Sequence, residues 1–302
     1  MPDHTPRSLF AVPAPIAALF RRFPLAVLPP NDLPLRSPSR GDTPVLYVFV
    51  AAEDAPRADR ASTPRTFLKI AGVEFRILPS TNHASPSGAL PYLQPPIPSR
   101  PVPAGSRLES WALDQRPSSS SSEKNPSQQP PLPEGRLQAY QSLLDHRVRT
   151  AWLHALYLSP ANAALLSRLY IEPATNNPVA RLALSHQVCS AAEAEVLKAT
   201  RTAVVDPARI YADARSAFEA LAALLNESEG GGGGGGTGWF FAAEDPTLFD
   251  ASVFAYTHLL LDDTFGWADR TLSEVLMEFP VLVRHRERLS ARCFPDDDVV
   301  LV

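Results

Sequence analysis

The sequence predicts an α/β domain followed by an all-helical domain. Three observations carry that reading: a strand-helix-strand spacing between Val45 and Ile77, a proline- and serine-rich break at 114–135, and helical periodicity beyond Gly135. Val45-Leu46-Tyr47-Val48-Phe49-Val50 is apolar without alternation, as a strand covered on both faces would be. Thr63 can cap the helix that follows, and Pro64 suits its first position because a missing N–H costs nothing there. Gly72 can take the left-handed stop. Val73, Phe75 and Ile77 then alternate with Glu74 and Arg76, which reads as a half-buried strand. Strand, helix and strand in this compass make a βαβ unit.

A polar loop from Pro79 leads through Leu90-Pro91 into a further strand, and the block 43–113 reads as a thioredoxin-like domain. Prolines between Gln94 and Pro103 cannot donate to a ladder, so any strand there sits on an edge. Ser106 to Leu113 reads as a short helix. Residues 114–135 are serine, proline and glutamine with almost nothing to bury, a disordered linker between domains. Residues 1–42 form a proline-punctuated N-terminal arm whose Leu9, Phe10, Leu19, Phe20 and Phe23 can anchor on a partner or on its own domain. The acid-poor, basic stretch of that arm also has the character of a mitochondrial presequence, which Pro13 and Pro15 argue against by breaking any helix.

The bulk numbers bound the function. With 302 residues and 45% hydrophobic content the chain can build real cores, and its 32 prolines fall mostly outside the periodic segments. A net charge of −4 gives no global attraction to nucleic acid or anionic lipid. Cys189 and Cys293 lie far apart in helical contexts, which suits buried thiols in a reducing compartment. No apolar run reaches the roughly 18 residues a membrane helix needs.

From 136 to 302 the chain reads as an all-α domain. Leu137, Tyr140, Leu144, Val148, Trp152 and Ala155 line one face of a long helix, and Ala163 to Tyr170 makes another. Asn177-Pro178 and Asp206-Pro207 are cap-plus-first-position pairs that open long amphipathic runs. The glycine tract at 229–238 reads as a flexible loop, not a phosphate cradle, because no Lys-Ser/Thr follows it. Thr247 and Asp250 stand at capping-box spacing before ASVFAYTHLLL, a helix apolar almost all round and so central to the domain. Two further helices, around Leu272 to Phe279 and Val281 to Arg292, complete it, and the acidic triplet Asp296-Asp297-Asp298 is expected in solvent.

A thioredoxin-like half, a proline-led third strand and a Thr-x-x-Asp cap on a buried helix together resemble the glutathione-transferase fold. Within it the chain most resembles the metaxin family, over about residues 24 to 294. The likeness rests on Pro79, Ser80, Asn82, Ser85, Pro86, Gly88, Leu90 and Pro91, and on the DASVFAY run from Asp250 to Tyr256. Among metaxins it looks most like the fungal subunits of the mitochondrial sorting and assembly machinery. The resemblance implies a non-enzymatic protein without cofactor, peripheral on the cytosolic face of the mitochondrial outer membrane. Its implied partners are an Omp85-type β-barrel channel, a second metaxin-like subunit and β-barrel precursors, whose terminal strand it would engage in extended form at a sheet edge or a cis-proline groove.

The chemistry-bearing residues are few. A glutathione-transferase needs a hydroxyl or thiol near the start of its first helix to hold the thiolate by a hydrogen bond, and here only Ser62 and Thr63 stand in that place. Their capping role explains them without chemistry. By the same resemblance Glu109-Ser110 is a vestigial site for the γ-glutamyl end of glutathione, while a helix start accounts for both residues as first-turn acid and cap. Pro91, if cis, would let backbone groups pair with extended peptide, as in the superfamily. His83 is a conceivable base, although polar loop residues more commonly pin their own backbone. His146 and His154 stand eight apart on one helix, the wrong spacing for a shared metal, and no metal site is expected. Trp239, Phe240, Phe241 and Trp267 are either core fillers or anchors for a partner protein.

Overall fold

The computed structural model describes residues 43–48, 63–80, 84–88, 90–96, 99–115, 134–230 and 237–295. The readings made for the N-terminal arm, Ser62, Asn82, His83, most of the linker and the acidic triplet lie outside these residues.

The first domain is a four-stranded sheet with two helices. Strands β1 (Val45–Val48), β2 (Arg76–Pro79), β3 (Tyr92–Gln94) and β4 (Val102–Pro103) lie in the order β2-β1-β3-β4. β2 runs parallel to β1, with Val45 opposite Arg76, while β3 is antiparallel to β1 and β4 to β3. Helix α1 (Thr63–Ile70) connects β1 to β2, and α2 (Ser106–Asp114) follows β4. The alternation from Val73 is seen as burial but only partly as strand. Val73, Phe75 and Ile77 all lean on the same apolar cluster, yet the ladder begins at Arg76. The reason is the end of α1. Gly72, at φ 71°, reverses the chain so that the Val73 N–H bonds back to Leu68 O at 3.0 Å and the Gly72 N–H to Lys69 O at 3.0 Å. An amide spent on capping a helix cannot also join a sheet.

Both edges of the sheet are short of donors. The Arg76 and Ser80 N–H groups point inward to Pro44 O and Val48 O, so alternation turns Ile77 and Pro79 outward, and Pro79 has no N–H. On the far edge Ala104 N–H faces inward to Pro91 O, and the neighbours Pro101 and Pro103 carry no N–H at all. The edge that the sequence reading offered to an extended partner therefore presents Ile77 as the outward amide of β2 and none from Pro101 or Pro103.

The second domain is helical. Helix α3 starts as Glu134–Leu143 and continues through a π-helical turn Leu144–Val148, an α segment Arg149–Leu153 and a second π turn His154–Leu158. Each π turn carries one residue too many for a 3.6 repeat, which the sequence pattern did not signal. Then come α4 (Ala163–Leu166, with a π turn Ser167–Ile171), α5 (Pro178–Thr200), α6 (Pro207–Gly230), α7 (Leu248–Leu261), α8 (Thr271–Met277) and α9 (Pro280–Cys293). Both predicted caps form: Asn177 Oδ1 accepts from Val179 and Ala180 N–H, and Asp206 Oδ1 from Arg209 N–H. α6 runs through Glu229 and Gly230, so the glycine tract begins inside a helix, where Arg288 donates to Glu229 at 2.6 Å.

The core of the helical domain gathers Val148, Phe218, Leu221, Leu225, Val253 and Leu276. A second cluster spans the two domains. Leu46, Phe67, Leu68 and Leu93 pack with Ala251, Phe254, Leu289 and Phe294, so α1 beds directly on α7 and α9. Burying each large apolar side chain contributes roughly 1.5–3 kcal/mol, and here the same contacts hold each domain and join them. α5 is less well covered. Its C-terminal half lies along α3, tied by Arg149 to Glu195 and by the Cys189 thiol donating to Tyr157 O at 3.1 Å. Its first turns project past the end of α3, leaving Val179 61% and Leu182 73% exposed.

Candidate functional site

The residues of the Pro79–Pro91 pattern gather at the end of the sheet where β1 stops and β3 starts. Pro79 closes β2, and the Ser80 N–H extends the ladder to Val48 O at 2.8 Å. Ser85, Pro86 and Gly88 make a tight turn, with the Gly88 N–H donating to Ser85 O at 3.0 Å and Pro86 supplying the fixed φ of its second position. The Ser87 N–H also donates to Ser85 Oγ at 3.3 Å, and Ser80 and Ser85 are buried. The Leu90–Pro91 bond is cis, as the resemblance implies. Beyond it Tyr92 stacks on Tyr47, ring centroids 4.7 Å apart, on two adjacent strands. Most of this motif is turn and ladder chemistry.

Glu109 lies in the first turn of α2, which packs against α1. It is half-buried, and desolvation raises its carboxyl above the ordinary glutamate value. Ser110, its neighbour, is exposed. Thr63 is the first residue of α1 and half-buried. α1 therefore presents the half-buried Thr63 at its start and the fully buried Thr66 in its first turn, and the chain brings that start, the cis-Pro91 strand and α2 into one small domain.

The Thr247–Asp250 capping box forms, and it is the centre of a larger network. Asp250 is fully buried, and its Oδ2 accepts from Thr247 N–H and from Thr247 Oγ1, each at 2.8 Å. Its Oδ1 accepts from Phe240 N–H at 3.1 Å and pairs with His285 Nε2 at 2.9 Å. Neither His285 nor Phe240 was legible from spacing, since they lie on other elements. Trp239 and Phe240 are buried, edge-on to His285, which makes them core and not a docking face. The Trp267 indole N–H donates to Leu259 O at 2.8 Å, and Phe241 packs against the main core. Gly238 has φ 71°, and a Cβ there would sit 1.4 Å from Arg288 Nη1. That guanidinium lies over Trp239 at 5.8 Å.

His154 and His146 diverge. His146 is exposed, while His154 is buried with Nδ1 3.1 Å from the Tyr211 hydroxyl. Burial lowers the His154 pKa, against an opposing pull from Asp269. Asp269 is held by Ser159 Oγ at 2.8 Å and by Thr271, and Asn162 Oδ1 accepts from Ala268 and Asp269 N–H. These groups stitch the end of α3 to the loop before α8. Among the described residues no group of His, Cys, Asp and Glu is arranged to hold a metal, and no helix is long and apolar enough to cross a membrane.

A β2-β1-β3-β4 mixed sheet with a cis-proline third strand, joined to a helical bundle through a buried capped helix, is the glutathione-transferase fold. Residues 64–162 match the glutathione S-transferase N-terminal domain family and residues 214–289 the glutathione S-transferase C-terminal domain family. The chain is a glutathione-transferase-like protein, with a thioredoxin-like first domain and a helical second. No curated protein sequence matches it. Similar solved structures include a glutathione S-transferase of Ceriporiopsis subvermispora in complex with glutathione, at 14% identity, covering 82% of this chain and 96% of that one, with a TM-score of 0.49. Glutathione S-transferase III in apo form is 14% identical over 86% of this chain and 98% of its own, TM-score 0.48. Glutathione transferase GSTFuA3 from Phanerochaete chrysosporium is 12% identical over 80% and 97%, TM-score 0.46.

Proposed function

We propose that this chain is a glutathione-transferase-shaped adaptor of the metaxin type, peripheral on the cytosolic face of the mitochondrial outer membrane. In this reading it binds an Omp85-type channel together with a second metaxin-like subunit and helps receive and insert β-barrel precursors. The observation that supports the reading is the Pro79–Pro91 pattern of the sequence, within which a Ser85–Gly88 turn and a cis Leu90–Pro91 bond lie. The donor-poor sheet edges move the point of contact for an extended precursor segment away from strand addition and toward the Pro91 end of the sheet. Affinity purification of the tagged chain from detergent-solubilised mitochondria tests it. Co-purification of an Omp85-type barrel is expected, and its absence under conditions that preserve the complex overturns the reading.

One feature favours a second reading, glutathione binding or transfer. Glu109 is kept half-buried at a desolvation cost on the helix where the superfamily holds the γ-glutamyl end. Retention on immobilised glutathione, lost in Glu109→Gln, together with conjugation of a generic electrophile, would establish an enzyme. The adaptor reading expects no conjugation.

A further inference from the structure

We infer that the segment 238–242 is a strained latch on the joint between the two domains, and that the first domain undocks from the helical bundle when this segment lifts out. The inference does not depend on the adaptor reading.

The segment reaches into both apolar clusters. Trp239 belongs to the cluster that beds α1 on α7 and α9, whereas its neighbour Phe240 is packed into the core of the helical domain. Two ion pairs straddle the segment, and the same guanidinia hold the indole. Arg288, paired with Glu229 at the end of α6, lies 5.8 Å from the Trp239 ring centroid, and Arg292, paired with Asp245 ahead of α7, lies 5.9 Å from it. The Phe240 N–H donates to Asp250 Oδ1 and the Ala242 N–H to Ser228 Oγ, each at 3.1 Å.

The contacts that hold the segment down work against its backbone. Phe241 stands at φ 60°, ψ 25° and Ala242 at φ 53°, two successive residues with a Cβ in the left-handed region. Such conformers are disfavoured for an L-residue and persist only where the surroundings impose them. Phe241 gains packing in return, its ring centroid 5.2 Å from that of Phe249 and 6.1 Å from that of Tyr140. Ala242 is exposed and gains none. Lifting the segment relieves both residues, so the lifted state lies nearer to the closed one in free energy than the buried aromatic area implies. It also withdraws Trp239 from the joint, and α1 then loses one wall of its seat on α7 and α9. Any group that binds the lifted aromatics therefore shifts the first domain toward its undocked state.

Hydrogen exchange of the full chain, read by mass spectrometry, tests the latch. Amides of β1 and β3 are expected to exchange faster than those of α6 around Leu221, through an opening that leaves the bundle folded. Ala242→Gly, at an exposed position, relieves strain and keeps the amide that Ser228 holds, so it should slow β1 and β3 exchange about fivefold. Arg292→Gln, also exposed, takes one cation off Trp239 and should speed the same amides about threefold. Exchange of β1 and β3 in step with α6, or rates indifferent to either substitution, overturns the latch.

Discussion

His285 Nε2 lies 2.9 Å from Asp250 Oδ1, and both side chains are fully buried. The contact joins the start of α7 to the middle of α9, and the same carboxylate holds the backbone of Phe240 and both donors of Thr247. Asp250→Ala strands all of these groups in the core, so a loss of about 3–5 kcal/mol in unfolding free energy is expected. Urea denaturation measures it, and a loss under about 1 kcal/mol would show that the network is dispensable.

Gly238→Ala meets two obstacles at once. It forces φ 71° on a residue with a Cβ, and that Cβ falls on the Arg288 guanidinium. The backbone alone costs about 1–2 kcal/mol. Displacing Arg288 from Trp239 should also change the tryptophan emission, so fluorescence-monitored unfolding reports both effects.

Glu109 gives a pH signature of definite sign. Its folded pKa is raised above 4.5, so its contribution is most favourable below that pH and is lost as pH rises through the folded value. Glu109→Gln should therefore raise the unfolding temperature at pH 7 and leave it unchanged at about pH 4. A variant less stable at neutral pH would mean that the carboxylate has a compensating partner.

His154 runs the other way. Its folded pKa lies below 6.5, so stability is present above that pH and declines as pH falls through the folded value. Replacing it with Asn should flatten the loss of thermal stability between about pH 6.5 and pH 5. An unchanged slope would assign the acid sensitivity to other groups.

What the sequence made legible follows the range of the interactions. The Asn177 and Asp206 caps and the Thr247–Asp250 pair are set by residues within a few positions of one another, the βαβ block announces itself through the local pattern of each of its segments, and all are present. The partners of Asp250 are not local: His285 is 35 residues away, and nothing in its spacing marks it. The late start of β2 shows the competition at closest range. Alternation from Val73 was correct about which face is buried, but the helix cap claimed the Val73 amide first. The burial of Glu109 depends on the packing of α2 into the first domain and has no trace in the dipeptide itself.

The prolines at the sheet margins have a consequence for association through the sheet. Pro79, Pro101 and Pro103 deny a visiting strand most of the amides it would need to zip on. An extended segment of any other chain meeting these edges finds few amides to pair with, and two copies of the domain have little means of polymerising through their rims.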